Sequence, residues 1–222
     1  MASVELYQKP DDAIRIVSFA CKQCTEWEPI FEYTNERMVQ RVIRSGHMSV
    51  LEHISYTFRI TCSRACTHQL VRHRLASYSQ FSQRYAVDKP KEPVYPKTLE
   101  GNPEVKELVE KSHNLYNKLV ADGVPMEDAR YILPEGSSTA IVVTMNGREL
   151  FHFFSQRLCK RAQWEIREIA SKMLQICRED CPAIFSLAGP KCEVNGACNE
   201  AKSCGHYMLL TMKQSSDTNV EA

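Results

Sequence analysis

The sequence predicts an α+β fold: a single domain whose central, mostly antiparallel sheet is flanked by helices. Three observations carry that expectation. Apolar residues alternate along Ile54, Tyr56, Phe58 and Ile60, the period of a strand with one buried face. Thr139 to Met145 is a β-branched, apolar run and reads as a buried strand. Helical spacing marks the stretches around Val105, Leu108, Leu115 and Leu119 and around Leu150, Phe151, Phe154 and Leu158. With 222 residues and 43% apolar content, the chain can bury one sizeable core. The expected domain runs over 1–210, with a flexible tail at 211–222.

Taken in order, Val4 to Tyr7 is β-prone, and Asp11 or Asp12 caps a helix carrying Ile14, Ile16, Val17 and Phe19 to about Cys21. Thr34 is placed to cap the next helix, which stops at Gly46. Ser63 caps a helix expected to reach Leu75, on which Gln69, Arg72 and His73 share one face. The small polar residues from Ser77 to Tyr85 read as an irregular loop, and Asp88 to Pro96, with three prolines, as a connector. Pro103 to Asp122 is a mostly solvated helix. Asn146 is a favoured cap for the helix from Gly147, and Ala162 to Asp180 forms a second amphipathic helix.

Composition narrows the function classes. A formal net charge of +1 gives no broad electrostatic hold on nucleic acid, so basic residues matter where they cluster and the partner is a small anion. No leader-like N-terminal segment or bilayer-length apolar run is present, which points to a cytoplasmic protein without membrane contact. Ten cysteines then read as reduced thiols. Cys21 and Cys24 make an isolated C-x-x-C, a weak signal without a second pair. Cys192, Cys198, Cys204 and His206 offer a tetrahedral donor set, but their gaps are not the usual zinc-knuckle spacing, and no metal site is assigned.

The most informative stretch is RHRLASYSQFSQRY, Arg72 to Tyr85. Its cations Arg72, Arg74 and Arg84 stand among serines and glutamines, with no lysine and no carboxylate. A solvated face mixes charges, whereas guanidinia with hydroxyl and amide donors suit a phosphorylated, planar ligand. Ser82 has a histidine nearby in sequence, but nothing resembles a nucleophile elbow or an oriented triad. Arg148 and His152, four apart, share a helix face, while Arg157, nine positions past Arg148, points roughly the opposite way. That two-way display is a hint that subunits share a site.

R-H-R, seven residues, then S-x-R resembles the signature of the flavin-dependent thymidylate synthases, with Arg72, His73, Arg74, Ser77, Ser82 and Arg84 in register. Ser79 and Gln80 stand where many members carry Asn and Glu. G-H-x-S-x-x-E-H from Gly46 and A-Q-W-E-I-R from Ala162 resemble two further family segments. The resemblance implies reductive methylation of dUMP to dTMP without a cysteine nucleophile. FAD is the cofactor, NADPH the reductant and 5,10-methylenetetrahydrofolate the one-carbon donor. It implies flavin contacts from His47, Ser49, Arg72, His73, Arg74, Gln80, Asn146, Arg148 and His152, the last standing where some members have Asn. Nucleotide contacts are implied for Gln69, Arg72, Gln80, Ser82, Arg84 and Arg130, with Arg157 facing the uracil ring as the catalytic residue. It also implies a homotetramer with a helical core and shared active sites. No G-x-G-x-x-G occurs, so a Rossmann-type hold on FAD is not expected. Two other classes compete: a nucleic-acid-binding module using Arg64, Arg72, Arg74 and Arg84, and a cysteine-rich zinc-binding protein.

Overall fold

The computed structural model describes residues 2–28, 30–85 and 92–208. The tail at 211–222 and the first half of the proline-rich connector lie outside those residues. Strands β1 (Ser3–Gln8), β2 (Ser55–Ser63), β3 (Ala76–Gln80) and β4 (Ser138–Asn146) make a four-stranded antiparallel sheet in the order β1-β2-β4-β3. The register of the central pair is fixed along its length. Gly147 N–H donates to Ile54 O at 2.8 Å, the Thr57 and Thr144 hydroxyls meet at 2.9 Å, and Arg64 N–H donates to Ser137 O at 3.0 Å. Each step up β2 is a step down β4, the antiparallel pattern. Ile54, Tyr56, Phe58 and Ile60 are all fully buried, as the alternation predicts, and Ile141, Val143 and Met145 are buried on β4.

β3 replaces the irregular loop expected from Ser77 onward. It lies at the edge of the sheet, where a strand needs no apolar alternation, and its residues alternate only between half-buried and exposed. The signal that defines a half-buried strand is therefore absent from its sequence.

Two compact units make up the chain. One takes in the described residues of Met1–Glu5 and Arg59–Val143. It holds α3 after two helices of the other unit, counted in chain order: α1 is Ala13–Gln23, α2 Glu36–Arg44 and α3 Arg64–Leu70. It also holds α4 (Pro103–Ala121), α5 (Met126–Ala129) and a 3₁₀ turn at Arg130–Ile132. Asn102 caps α4 and Pro103 opens it, where its missing N–H costs nothing. Only Tyr116 of that helix is buried, matching the expected solvated pattern.

The other unit takes in the described residues of Leu6–Phe58 and Thr144–Ala222. Asp12 caps α1 as expected. Asn35 caps α2 in place of Thr34: its Oδ1 accepts from Met38 N–H at 2.9 Å while its amide donates to the Tyr33 hydroxyl at 2.7 Å. Gly46, at φ +81°, takes the left-handed backbone that ends α2. A 3₁₀ helix at Met48–His53 leads into β2. Beyond β4 come α6 (Gly147–Arg157), α7 (Trp164–Asp180), α8 (Pro182–Phe185) and α9 (Lys191–Asn195). α7 buries Ile166, Ile169, Met173 and Cys177. The Tyr56 hydroxyl donates to Asp180 Oδ2 at 2.8 Å. Burial, and then that bond, push the Tyr56 phenol well above its ordinary pKa. Among the described residues, no helix is long and apolar enough to cross a membrane.

Candidate functional site

Ser63 opens α3 by accepting from Cys66 N–H at 3.0 Å, as the sequence predicts. The helix then stops at Leu70, five residues short of expectation, so Arg72 and His73 follow its end and share no helix face with Gln69. The cause is a clamp. The Tyr78 hydroxyl lies 2.9 Å from Leu70 O and 2.7 Å from His73 O, satisfying carbonyls the helix end would leave open. Arg72 N–H and His73 N–H fold back onto Gln69 O and Leu70 O in the same turn. The chain leaving α3 thus points Arg72 and Arg74 to solvent and buries His73 between them. Tyr78 is absent from the expected site residues, and the clamp has no signature in local spacing.

Gln80 is fixed from two sides: its amide donates to Thr67 Oγ1 at 3.1 Å and approaches Thr139 Oγ1 at 3.5 Å. Ser82 Oγ accepts from Arg84 N–H at 3.2 Å, a short turn that aims the Arg84 side chain. The guanidinium packs over the Tyr85 ring at 5.0 Å and pairs with Glu127 at 2.5 Å. Arg130 reaches the same residue through the main chain, its Nε donating to Glu127 O at 3.2 Å. Glu127 therefore gathers Arg84 and Arg130, two of the expected nucleotide ligands from separate parts of the sequence. Arg130 also lines a recess with Arg64, His68 and Gln83.

In the other unit, Asn146 Oδ1 accepts from Glu149 N–H at 2.8 Å, so the carbonyl end of this residue caps α6. Gly147 follows with no room for a side chain: a Cβ there would sit 2.7 Å from Leu51 O and 2.9 Å from Ile54 Cγ1. That close approach seats the 3₁₀ helix, with His47 at its cap and Ser49 in its first turn, against the start of α6. Across the junction Arg148 pairs with Glu52 at 2.6 Å. His47, Ser49, Arg148 and His152 are all exposed, and His152 meets Gln156 at 3.0 Å. Glu149 is buried, and desolvation pushes its carboxyl above the usual range, with His152 pulling it back. Asn146 followed three residues later by Glu149 reads in sequence as a cap pattern, which hides the burial.

Arg157, half-buried at the last residue of α6, lines a cavity of about 520 Å³. Cys159, Cys192, Cys198, Cys204 and His206 line the same cavity. Burial raises the Cys192 thiol, and the nearby Cys159 adds to the rise. In the Cys21/Cys24 pair both thiols are free, Cys21 buried and Cys24 bonded to Ala20 O. Cys66, the other thiol near the arginine-rich motif, is fully buried.

A family profile described as "Thymidylate synthase complementing protein" matches residues 5–183. The flavin-dependent thymidylate synthase of Sulfolobus acidocaldarius is 44% identical over 204 residues, covering 86% of this chain and 78% of the relative. The enzyme of the same name from Geobacter sulfurreducens is 42% identical over 219 residues, covering 91% and 93%. That from Pyrococcus abyssi is 47% identical over 193 residues, covering 79% of each.

Proposed function

This chain belongs to the flavin-dependent thymidylate synthases, and from that premise we propose that it methylates dUMP to dTMP with methylenetetrahydrofolate and NADPH in the cytoplasm. The observation that carries the proposal is coverage: the family match spans 5–183 and so contains every assigned residue from His47 to Arg157. Net charge and local pairing argue against the nucleic-acid reading, because Arg84, one of the four cations it uses, meets a carboxylate.

The donor set at the junction of the 3₁₀ helix and α6 fits a flavin dinucleotide. It offers exposed imidazoles, a hydroxyl and a guanidinium on two segments that Gly147 holds in register. His47, Ser49, Asn146, Arg148 and His152 would hold FAD there, and from the motif Arg72, His73, Arg74 and Gln80 are assigned to the flavin. When bound, reduced flavin supplies the hydride.

The protein's own work is binding and electrostatics. Arg84, Ser82 and Arg130 hold the nucleotide phosphate, and Gln69, Arg72 and Gln80 fix the nucleoside. Arg157 against the uracil edge stabilises the ring deprotonated at N3, which makes C5 nucleophilic without an added thiolate. The full burial of Cys66 takes the thiol nearest the arginine-rich motif out of contention as a nucleophile. Nine helical positions put Arg148 and Arg157 roughly 180° apart around α6, which supports active sites shared between subunits of a homotetramer.

The test is a visible spectrum of protein mixed with FAD and desalted, then treated with NADPH with and without dUMP. Retained yellow colour, bleaching whose rate the nucleotide changes, and dTMP on adding methylenetetrahydrofolate are expected. Arg157→Ala should stay yellow yet form no dTMP; near-normal turnover would remove its ring-activating role.

A further inference from the structure

Resting on the proposed function, we infer that Arg64 and Gln83 bind the 5′-phosphate of the nucleotide beside Arg130. The three residues line one recess of about 310 Å³, at the small end of ligand pockets, which run from about 300 Å³ upward. Main-chain bonds build it. Arg64 N–H donates to Ser137 O and Ala65 N–H to Glu135 O, both at 3.0 Å, tying the first turn of α3 to 135–137. Leu133 N–H donates to Arg130 O at 3.1 Å and closes the 3₁₀ turn that carries Arg130. Gln83 enters from the turn after β3. The donors come from three stretches of sequence, all in the unit that holds α3.

What these donors lack is acceptors. Arg130 commits its Nε to Glu127 O at 3.2 Å, and its terminal nitrogens meet no acceptor among the described residues. The Arg64 guanidinium likewise meets none among the described residues. Gln83 is 5% exposed, yet its side-chain amide has no hydrogen-bond partner among the described residues. A buried amide in that state weakens the fold, so a ligand that accepts from it accounts for its place. Two guanidinia match the charge of a phosphomonoester, about −1.5 to −2 near pH 7, and their forked N–H groups match its oxygens. Glu135 is the carboxylate of the recess, and His68 Nδ1 stands 3.6 Å from it, where a protonated imidazole offsets its charge. Arg84 already carries Glu127, whereas Arg64 brings its charge with no such carboxylate to displace among the described residues.

The test uses the full chain loaded with FAD and compares wild type with Arg64→Gln, Arg64→Lys and Gln83→Leu. Arg64→Gln should raise the KM for dUMP by about 10–100-fold, with kcat at saturating dUMP within about twofold of wild type. Its FAD content and melting midpoint should match wild type, which assigns the phosphate to the nucleotide and not to the flavin dinucleotide. Arg64→Lys should recover part of the loss, since it restores the charge without the fork. Gln83→Leu should raise the KM about tenfold and melt no lower than wild type, because it removes a buried amide that has no partner. An unchanged KM in Arg64→Gln overturns the assignment, and so does a joint loss of FAD, kcat and melting, which marks a structural role. Should Arg64→Gln fail to fold, Gln83→Leu carries the test, and an unchanged KM there overturns the site. Equilibrium dialysis of dUMP separates this site from the reaction. A wild type that binds dUMP yet forms no dTMP overturns the proposed function alone, and equal dUMP affinity in wild type and Arg64→Gln overturns the site alone.

Discussion

Gly147→Ala tests whether the 3₁₀ helix and the start of α6 are held together by contact of their backbones. The added Cβ would meet Leu51 O at 2.7 Å and Ile54 Cγ1 at 2.9 Å. Ordinary C···O contacts are at about 3.3–3.6 Å, so a main-chain carbonyl must move by at least about 0.6 Å. Overpacking of this kind costs about 1–3 kcal/mol. Alanine's better helix propensity offsets at most about 1 kcal/mol, so even with the full offset the net loss reaches about 2 kcal/mol. With a urea slope of about 2 kcal/mol per molar, the unfolding midpoint should fall by up to about 1 M at fixed protein concentration. Gly189→Ala is the control, since its Cβ would meet side-chain ends alone, the Glu193 carboxylate at 3.4 Å and Val194 Cγ2 at 4.0 Å. FAD retention should fall along with the midpoint in Gly147→Ala, because the shift parts His47 and Ser49 from Arg148. A midpoint equal to or above wild type would refute the reasoning.

Tyr56→Phe removes a buried hydrogen bond to Asp180 and should cost about 1.5–3 kcal/mol in denaturant titration. Because burial raises the Tyr56 phenol in the folded chain, the unfolded chain loses its proton first, above about pH 10. Stability contributed by Tyr56 is then full below that pH and falls by up to about 1.4 kcal/mol per pH unit above it, a slope the Phe variant should lessen. Asn146→Ala should cost about 1 kcal/mol through the lost cap, whereas Asn146→Asp should keep most of it, as thermal melts will show. Burial, reinforced by Asp180 and Cys181, raises the Cys177 thiol, so iodoacetamide should label exposed Cys24 in the native chain and Cys177 only on unfolding. Arg148→Ala breaks an exposed ion pair worth about 0.2–1 kcal/mol, so its melting should change little while FAD retention is lost.

The elements legible in the sequence are those whose burial is periodic. Ile54 to Ile60 and Thr139 to Met145 announce β2 and β4, and Asn146 announces the start of α6. What escaped depends on partners distant in sequence. α3 stops early because Tyr78 takes its end carbonyls, and β3 forms because β4 offers an edge, as in the bond from Phe81 N–H to Ala140 O. The same holds for the site. The arginines of the motif are visible as residues, but Glu127 and Glu52, which set the directions of Arg84 and Arg148, lie far from them along the chain.

Those carboxylates bear on how such a site can be ready without being spent. Under the proposed assignment, a phosphate at Arg84 or Arg148 would compete with Glu127 or Glu52, and both pairs are about half exposed. Exposed pairs are weak, at about 0.2–1 kcal/mol, so the exchange is cheap beside a charge-assisted bond to a phosphate in a shielded pocket. Meanwhile the pair limits the wandering of a long side chain whose ordering would otherwise oppose binding. The arrangement also keeps net charge near neutral, which removes the broad attraction to nucleic acid that unpaired guanidinia would exert. Under the proposed function, pairing with carboxylates would favour a small ligand that can enter and exchange over a polyanion that binds by charge alone.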